Sequence, residues 1–130
     1  TPSTTRPLAE LLHTAREARM AGRHADAAVA LRELIVTYPD SADARTATVT
    51  LGQLELKKLG RPAEARRHFA RYLNKPGSLA QDALVGQADA CRAMRDIECE
   101  RTTLERIIRD FPGGPADAAA RRRLQDIPRQ

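Results

Sequence analysis

One hundred and thirty residues suffice for one domain that buries roughly two-thirds of its unfolded surface, so no second core is called for. Alanine and leucine lead the 42% of hydrophobic residues, and aromatics make up only 3%, a balance that favours helix because straight-chain side chains lose little rotamer freedom there. The formal charge of +5 is carried by arginines interleaved with glutamates, the pattern of solvated helix faces; this disfavours a nucleic-acid footprint, and no apolar run nears the roughly 20 residues of a membrane span.

The chain opens on Thr1 with no signal-peptide pattern, so it is expected to be a processed form or an excerpt. The first unit, about residues 5–39, predicts two helices broken at Gly22. Its second helix ends in "LRELIVTYPD", with Leu31, Leu34, Ile35, Tyr38 and Pro39 in register. In the second unit, about 41–76, Ser41 suits an N-cap, and Ala47, Leu51, Leu54 and Leu59 fall near helical spacing. Gly60 and Pro62 interrupt the pattern, and Ala65, Phe69, Tyr72 and Leu73 resume it up to Pro76. In the third unit, about 78–112, Ser78 and Gln81 can form a capping box and Asp96 suits an N-cap. Leu104, Ile107, Ile108, Phe111 and Pro112 repeat the ending of the first unit. Proline closes each unit because it disfavours helical geometry in the residue before it.

A period near 36 residues predicts stacked helical hairpins, since one hairpin cannot bury its apolar face alone. The aromatic before each proline is expected to clamp against the next unit, and the leucines to share one continuous apolar seam. The last stretch, "GGPADAAARRRLQDI", reads as a capping helix over about 115–127 that starts at Pro115. Ala116, Ala119, Ala120, Leu124 and Ile127 would face inward and its arginines outward. The expectation is an all-α superhelix of seven helices in a single domain spanning residues 1–130.

These residues resemble the tetratricopeptide repeat. Gly22, Ala27, Leu31, Leu34 and Pro39 fit its pattern in the first unit; Leu51, Gly52, Gly60, Ala65, Phe69 and Pro76 fit it in the second. Val85, Gly86, Leu104, Ile107 and Pro112 fit in the third, where Arg95 replaces the turn glycine and Glu100 stands in place of a small alanine. The first-helix aromatics of that family are absent. The endings Tyr38–Ser41 and Phe111–Gly114 are similar in style to repeats of bacterial cell-envelope proteins. Examples are Tol-Pal-associated periplasmic proteins, an outer-membrane assembly lipoprotein and the tails of FecR-like regulators. That style implies a periplasmic or envelope location, with the cytoplasm as the alternative.

The resemblance implies a non-enzymatic module that binds a protein or peptide in a concave groove. Gln53 and Gln87 follow the repeat glycines on the first helices, and with Arg16, Arg19, Lys57 and Arg92 they would make a mildly basic groove for an acidic segment or a chain end. As single residues, each reads equally well as an ordinary exposed helix position. No cofactor is expected, and no catalytic site, because no serine or cysteine has a recognisable base and Gly113 and Gly114 lack the lysine of a phosphate loop. His13, His24 and His68 fall on separate helices, so no metal site is expected either. Cys91 and Cys99 flank a turn, where a disulfide and two reduced, packed cysteines are both open. The run Arg121–Arg123 could touch phosphate, but successive helix residues diverge. Self-association through an open end of the stack is the alternative function, making a homo-oligomer.

Overall fold

The computed structural model describes residues 5–128, and among them finds seven α-helices and no strand. Helices α1 (Leu8–Met20) and α2 (His24–Thr37) form the first hairpin, α3 (Ala42–Lys57) and α4 (Pro62–Leu73) the second, and α5 (Ala80–Ala93) and α6 (Ile97–Asp110) the third. Helix α7 (Asp117–Asp126) closes the stack. Each helix packs on the next in sequence, and α3 also packs on α5, so the first helices of the second and third units run side by side. This is the architecture of a tetratricopeptide-like helical superhelix.

Local chemistry sets the helix ends. The Ser41 hydroxyl accepts from Ala44 N at 3.0 Å and the Asp96 carboxylate from Cys99 N at 3.1 Å, each relieving a free amide of the first turn. Pro62 begins α4, where its missing amide hydrogen costs nothing. Two expected starts differ. Helix α5 begins at Ala80 with Leu79, which has no side-chain acceptor, at its N-cap, so Ser78 does not cap it, and the Gln81 amide oxygen accepts instead from Ala116 N at 3.2 Å. Pro115 lies in the turn before α7 instead of at its first position.

The turn inside each hairpin requires one left-handed residue. Gly22 (φ 76°), Gly60 (φ 63°) and Arg95 (φ 57°) supply it. At Gly22 and Arg95 the geometry is the same: the residue's amide donates three residues back, and the next amide donates five back, from Arg23 to Ala18 O and from Asp96 to Cys91 O. Glycine enters this conformation freely, whereas an arginine Cβ crowds the following carbonyl. Arg95→Gly is therefore expected to stabilise the fold by about 1 kcal/mol, read as a higher melting temperature by circular dichroism. An unchanged or lower melting temperature would show that the Arg95 side chain returns its backbone cost within the fold.

The apolar interior is divided, where a single seam was expected. One cluster joins Leu11, Ala15, Leu31 and Leu34 of the first hairpin to Leu51 and Leu54 of α3; the other joins Val49 of α3 to Phe69, Leu84, Leu104, Ile107 and Ile127. Phe69, fully buried, lies at the centre of the second cluster. A Cβ built on Gly52 would come within 2.8 Å of its ring, and one on Gly86 within 2.4 Å. The two repeat glycines thus let α3 and α5 close on the same phenylalanine from both sides.

The forward contact comes from another aromatic than the one before the proline. Tyr72, in the place of one of the inward aliphatic pair, reaches forward: its oxygen accepts from Gly77 N at 3.1 Å and Leu79 N at 2.9 Å at the entry to the third unit. Tyr38 instead turns back and donates to Arg6 O at 2.6 Å, tying down the start of its own unit. Arg45 of α3 donates to Lys75 O and lies 5.8 Å from the Tyr72 ring centre, which fastens the same junction.

Candidate functional site

Two carboxylates are buried among the described residues of the stack, and both hold helices together. Glu55 of α3 is 1% exposed; its carboxylate accepts from His68 Nδ1 of α4 at 2.6 Å and faces Arg32 Nη2 of α2 at 3.7 Å. Glu100 of α6 is 3% exposed and takes a two-pronged contact from Arg123 of α7, 2.6 Å to Nε and 3.1 Å to Nη2. Those hydrogen bonds hold the Arg123 guanidinium above its ordinary range. Glu100 thus occupies the position of a small alanine because α7 supplies it with a counter-charge.

Helix α7 packs on α6, and its body stands off α5, to which its N-cap residue Ala116 is tied by a hydrogen bond to Gln81. An open cleft of about 190 Å³ remains between them. Its walls are Val85, Ala88, Asp89 and Arg92, spaced as one stripe of α5, facing Ala119 and Ala120 of α7, with Leu104 and Ile107 of α6 as the floor. Ala119, expected to face inward, is exposed; only Ala120 and Ile127 of the predicted inward set are buried, with Ala116 and Leu124 half-buried. Asp89 keeps contact with solvent at the cleft rim. The apolar walls still strip part of its hydration and raise its carboxyl above the ordinary value, against the opposing pull of Lys57 and Arg92.

The six sequence-predicted groove residues do not share one surface. Lys57 and Arg92, both exposed, flank Asp89 on the cleft side. Gln87 is on a different face of α5 and lines a crevice with Thr102, Thr103 and Arg106 of α6. Five residues of helix separate Gln87 from Arg92, a rotation of about 140°. Gln53 holds the same register one repeat earlier, after Gly52, and is half-buried. Arg16 and Arg19 are exposed on α1, which packs on α2 alone. The placement of α7, which the sequence gives only as a cap, is what creates the cleft.

Cys91 and Cys99 are joined as a disulfide across the Arg95 turn, with Cα atoms 5.6 Å apart. Cys91 is fully buried; Cys99 borders the outer crevice, where Arg66 Nη1 lies 3.7 Å from its sulfur and 3.2 Å from Asp96. His13 pairs with Glu17 at 3.4 Å, His68 with Glu55, and His24 Nδ1 is buried without a partner. Among the described residues no group of three histidine, cysteine or carboxylate side chains is placed to hold a metal ion. No helix among them is long and apolar enough to cross a membrane.

Residues 11–41, which cover most of the first hairpin, match the family model of the tetratricopeptide repeat. No curated protein matches the chain. The matched stretch contains the Gly22 turn and the Tyr38–Pro39 ending, and the two later hairpins repeat its geometry with Gly60 and Arg95 at the turn.

Proposed function

We propose that this chain is a non-enzymatic protein-interaction module that receives an extended protein or peptide segment in the cleft between α5 and α7. The observation that carries the reading is the gap left where the body of α7 stands off α5, beyond the Ala116–Gln81 hydrogen bond at its start. A next hairpin in the stack would close it, whereas the alanine-rich face of α7 leaves Val85 and Ala88 accessible from the cleft. At about 190 Å³ the space is smaller than sites that engulf small molecules, roughly 300–1,000 Å³, and open enough to seat one or two side chains of a longer partner. Lys57 and Arg92 at the rim favour acidic residues beside the seated side chain.

The test uses peptides selected by display against the whole chain. Ala119→Trp fills the cleft from an exposed position and is expected to leave the melting temperature unchanged while weakening those peptides at least about tenfold, the value of one well-packed anchor. Undiminished binding by the filled variant would sink the cleft as the site. Self-association is the second reading. It is favoured by Met20, Val29 and Val36, which stand 89%, 58% and 79% exposed on the first hairpin. A mass by light scattering that does not change with concentration excludes it.

A further inference from the structure

The three hairpins present their inner turns along one edge of the stack. The alternation of helix directions puts the ends of α1, α3 and α5 on this edge, and the packing of α3 on α5 brings those two side by side. The Arg66–Asp96 pair, 3.2 Å across from the start of α4 to the start of α6, confirms the neighbourhood. Every unit leaves cations on this edge: Arg19 in the first, Lys58 and Arg61 in the second, Arg92 and Arg95 in the third, all exposed. The side chains of Arg19, Lys58, Arg61 and Arg95 make no hydrogen bond or ion pair among the described residues. The acids on the same edge are already engaged: Asp26 by Arg23, Glu64 by Arg67, Asp96 by Arg66 and Glu98 by Arg101.

The helix dipole explains a cation in the last turn of a helix, such as Arg19 or Arg92. It also suits Lys58, the C-cap of α3, but not Arg61 at the N-cap of α4, nor the left-handed placement of Arg95. Arg95 occupies a left-handed position that the other two hairpins give to glycine. A charged side chain kept where it strains the backbone marks a position whose use is outside the fold.

We infer that this turn edge is a second contact surface, which binds an extended acidic protein segment lying along the stack axis. Neighbouring helices stand about 10 Å apart, and an extended peptide advances about 3.4 Å per residue. The second and third units, whose first helices pack side by side, therefore meet carboxylates about three residues apart on the partner. Nucleic acid fits less well: the two tyrosines and two phenylalanines are all buried or half-buried, so the edge has no aromatic platform on which bases would stack.

The inference rests on the reading of the chain as a protein-binding module, and its test avoids the cleft. The whole chain is titrated at low salt, by fluorescence anisotropy, with a labelled peptide of about twelve residues carrying glutamate at every third position. Arg95→Gly is expected to melt higher and yet bind this peptide about threefold more weakly, the value of one exposed charge contact. Lys58→Glu with Arg61→Glu weakens it at least about tenfold, while Lys75→Glu, on the opposite edge, changes it by less than about twofold. Equal weakening by Lys75→Glu overturns the inference, since only net charge would then matter. Equal affinity for a peptide whose glutamates are bunched together overturns it too, as does tighter binding of an oligothymidine strand. If display-selected peptides bind the chain in an Ala119-sensitive way while the spaced acidic peptide does not bind, the edge falls and the interaction-module reading stands.

Discussion

Gly86→Ala is expected to destabilise the protein by about 3 kcal/mol, enough to lower its melting temperature by about 10 °C. The added methyl would stand 2.4 Å from Cζ of Phe69, a ring that is 0% exposed and walled on its far side by α3. Neither partner can move: the ring has no free space, and Gly86 is fixed within α5 by its helical hydrogen bonds. Alanine's better helix propensity returns only about 1 kcal/mol. Shortening the ring tests the cause, since Phe69→Leu combined with Gly86→Ala should lose less than the sum of the two single changes. Simple additivity would mean that Phe69 is not the obstacle.

The second large effect is at Glu55. His68→Ala leaves a carboxylate that is 1% exposed with Arg32 at 3.7 Å as its one remaining counter-charge, and is expected to cost about 2–3 kcal/mol. Removing the charge as well, in His68→Ala with Glu55→Leu, should recover most of that loss, because an apolar pair needs no counter-charge. Urea denaturation of the two variants provides the comparison. A double variant no more stable than His68→Ala would show that the imidazole contributes packing and that the buried charge is of no consequence.

What could be read in advance follows from the range of the forces involved. The period, the closing prolines and the paired glycines at 52 and 86 are local patterns, and they carried the hairpins, the seven helices and the packing of Phe69. Glu55 gave no warning, since in "LELKK" it reads as one more charged residue on a solvated helix, and its partners Arg32 and His68 lie on two other helices. Glu100 was visible as an anomaly, but the Arg123 that resolves it is 23 residues away. The groove failed for a related reason: periodicity says which residues share a helix face without saying which neighbour that face meets. Which face of α5 is turned to α7 decides whether Gln87 or Arg92 lines the cleft. The position of α7 decides whether there is a cleft at all.

Helix α3 belongs to both interior clusters, giving Leu51 and Leu54 to one and Val49 to the other. A chain divided after the first hairpin would therefore strip one flank of a helix that both halves need, so neither piece inherits a closed interior. Melting should accordingly be a single concerted event in place of the stepwise fraying of long arrays built from self-sufficient neighbours.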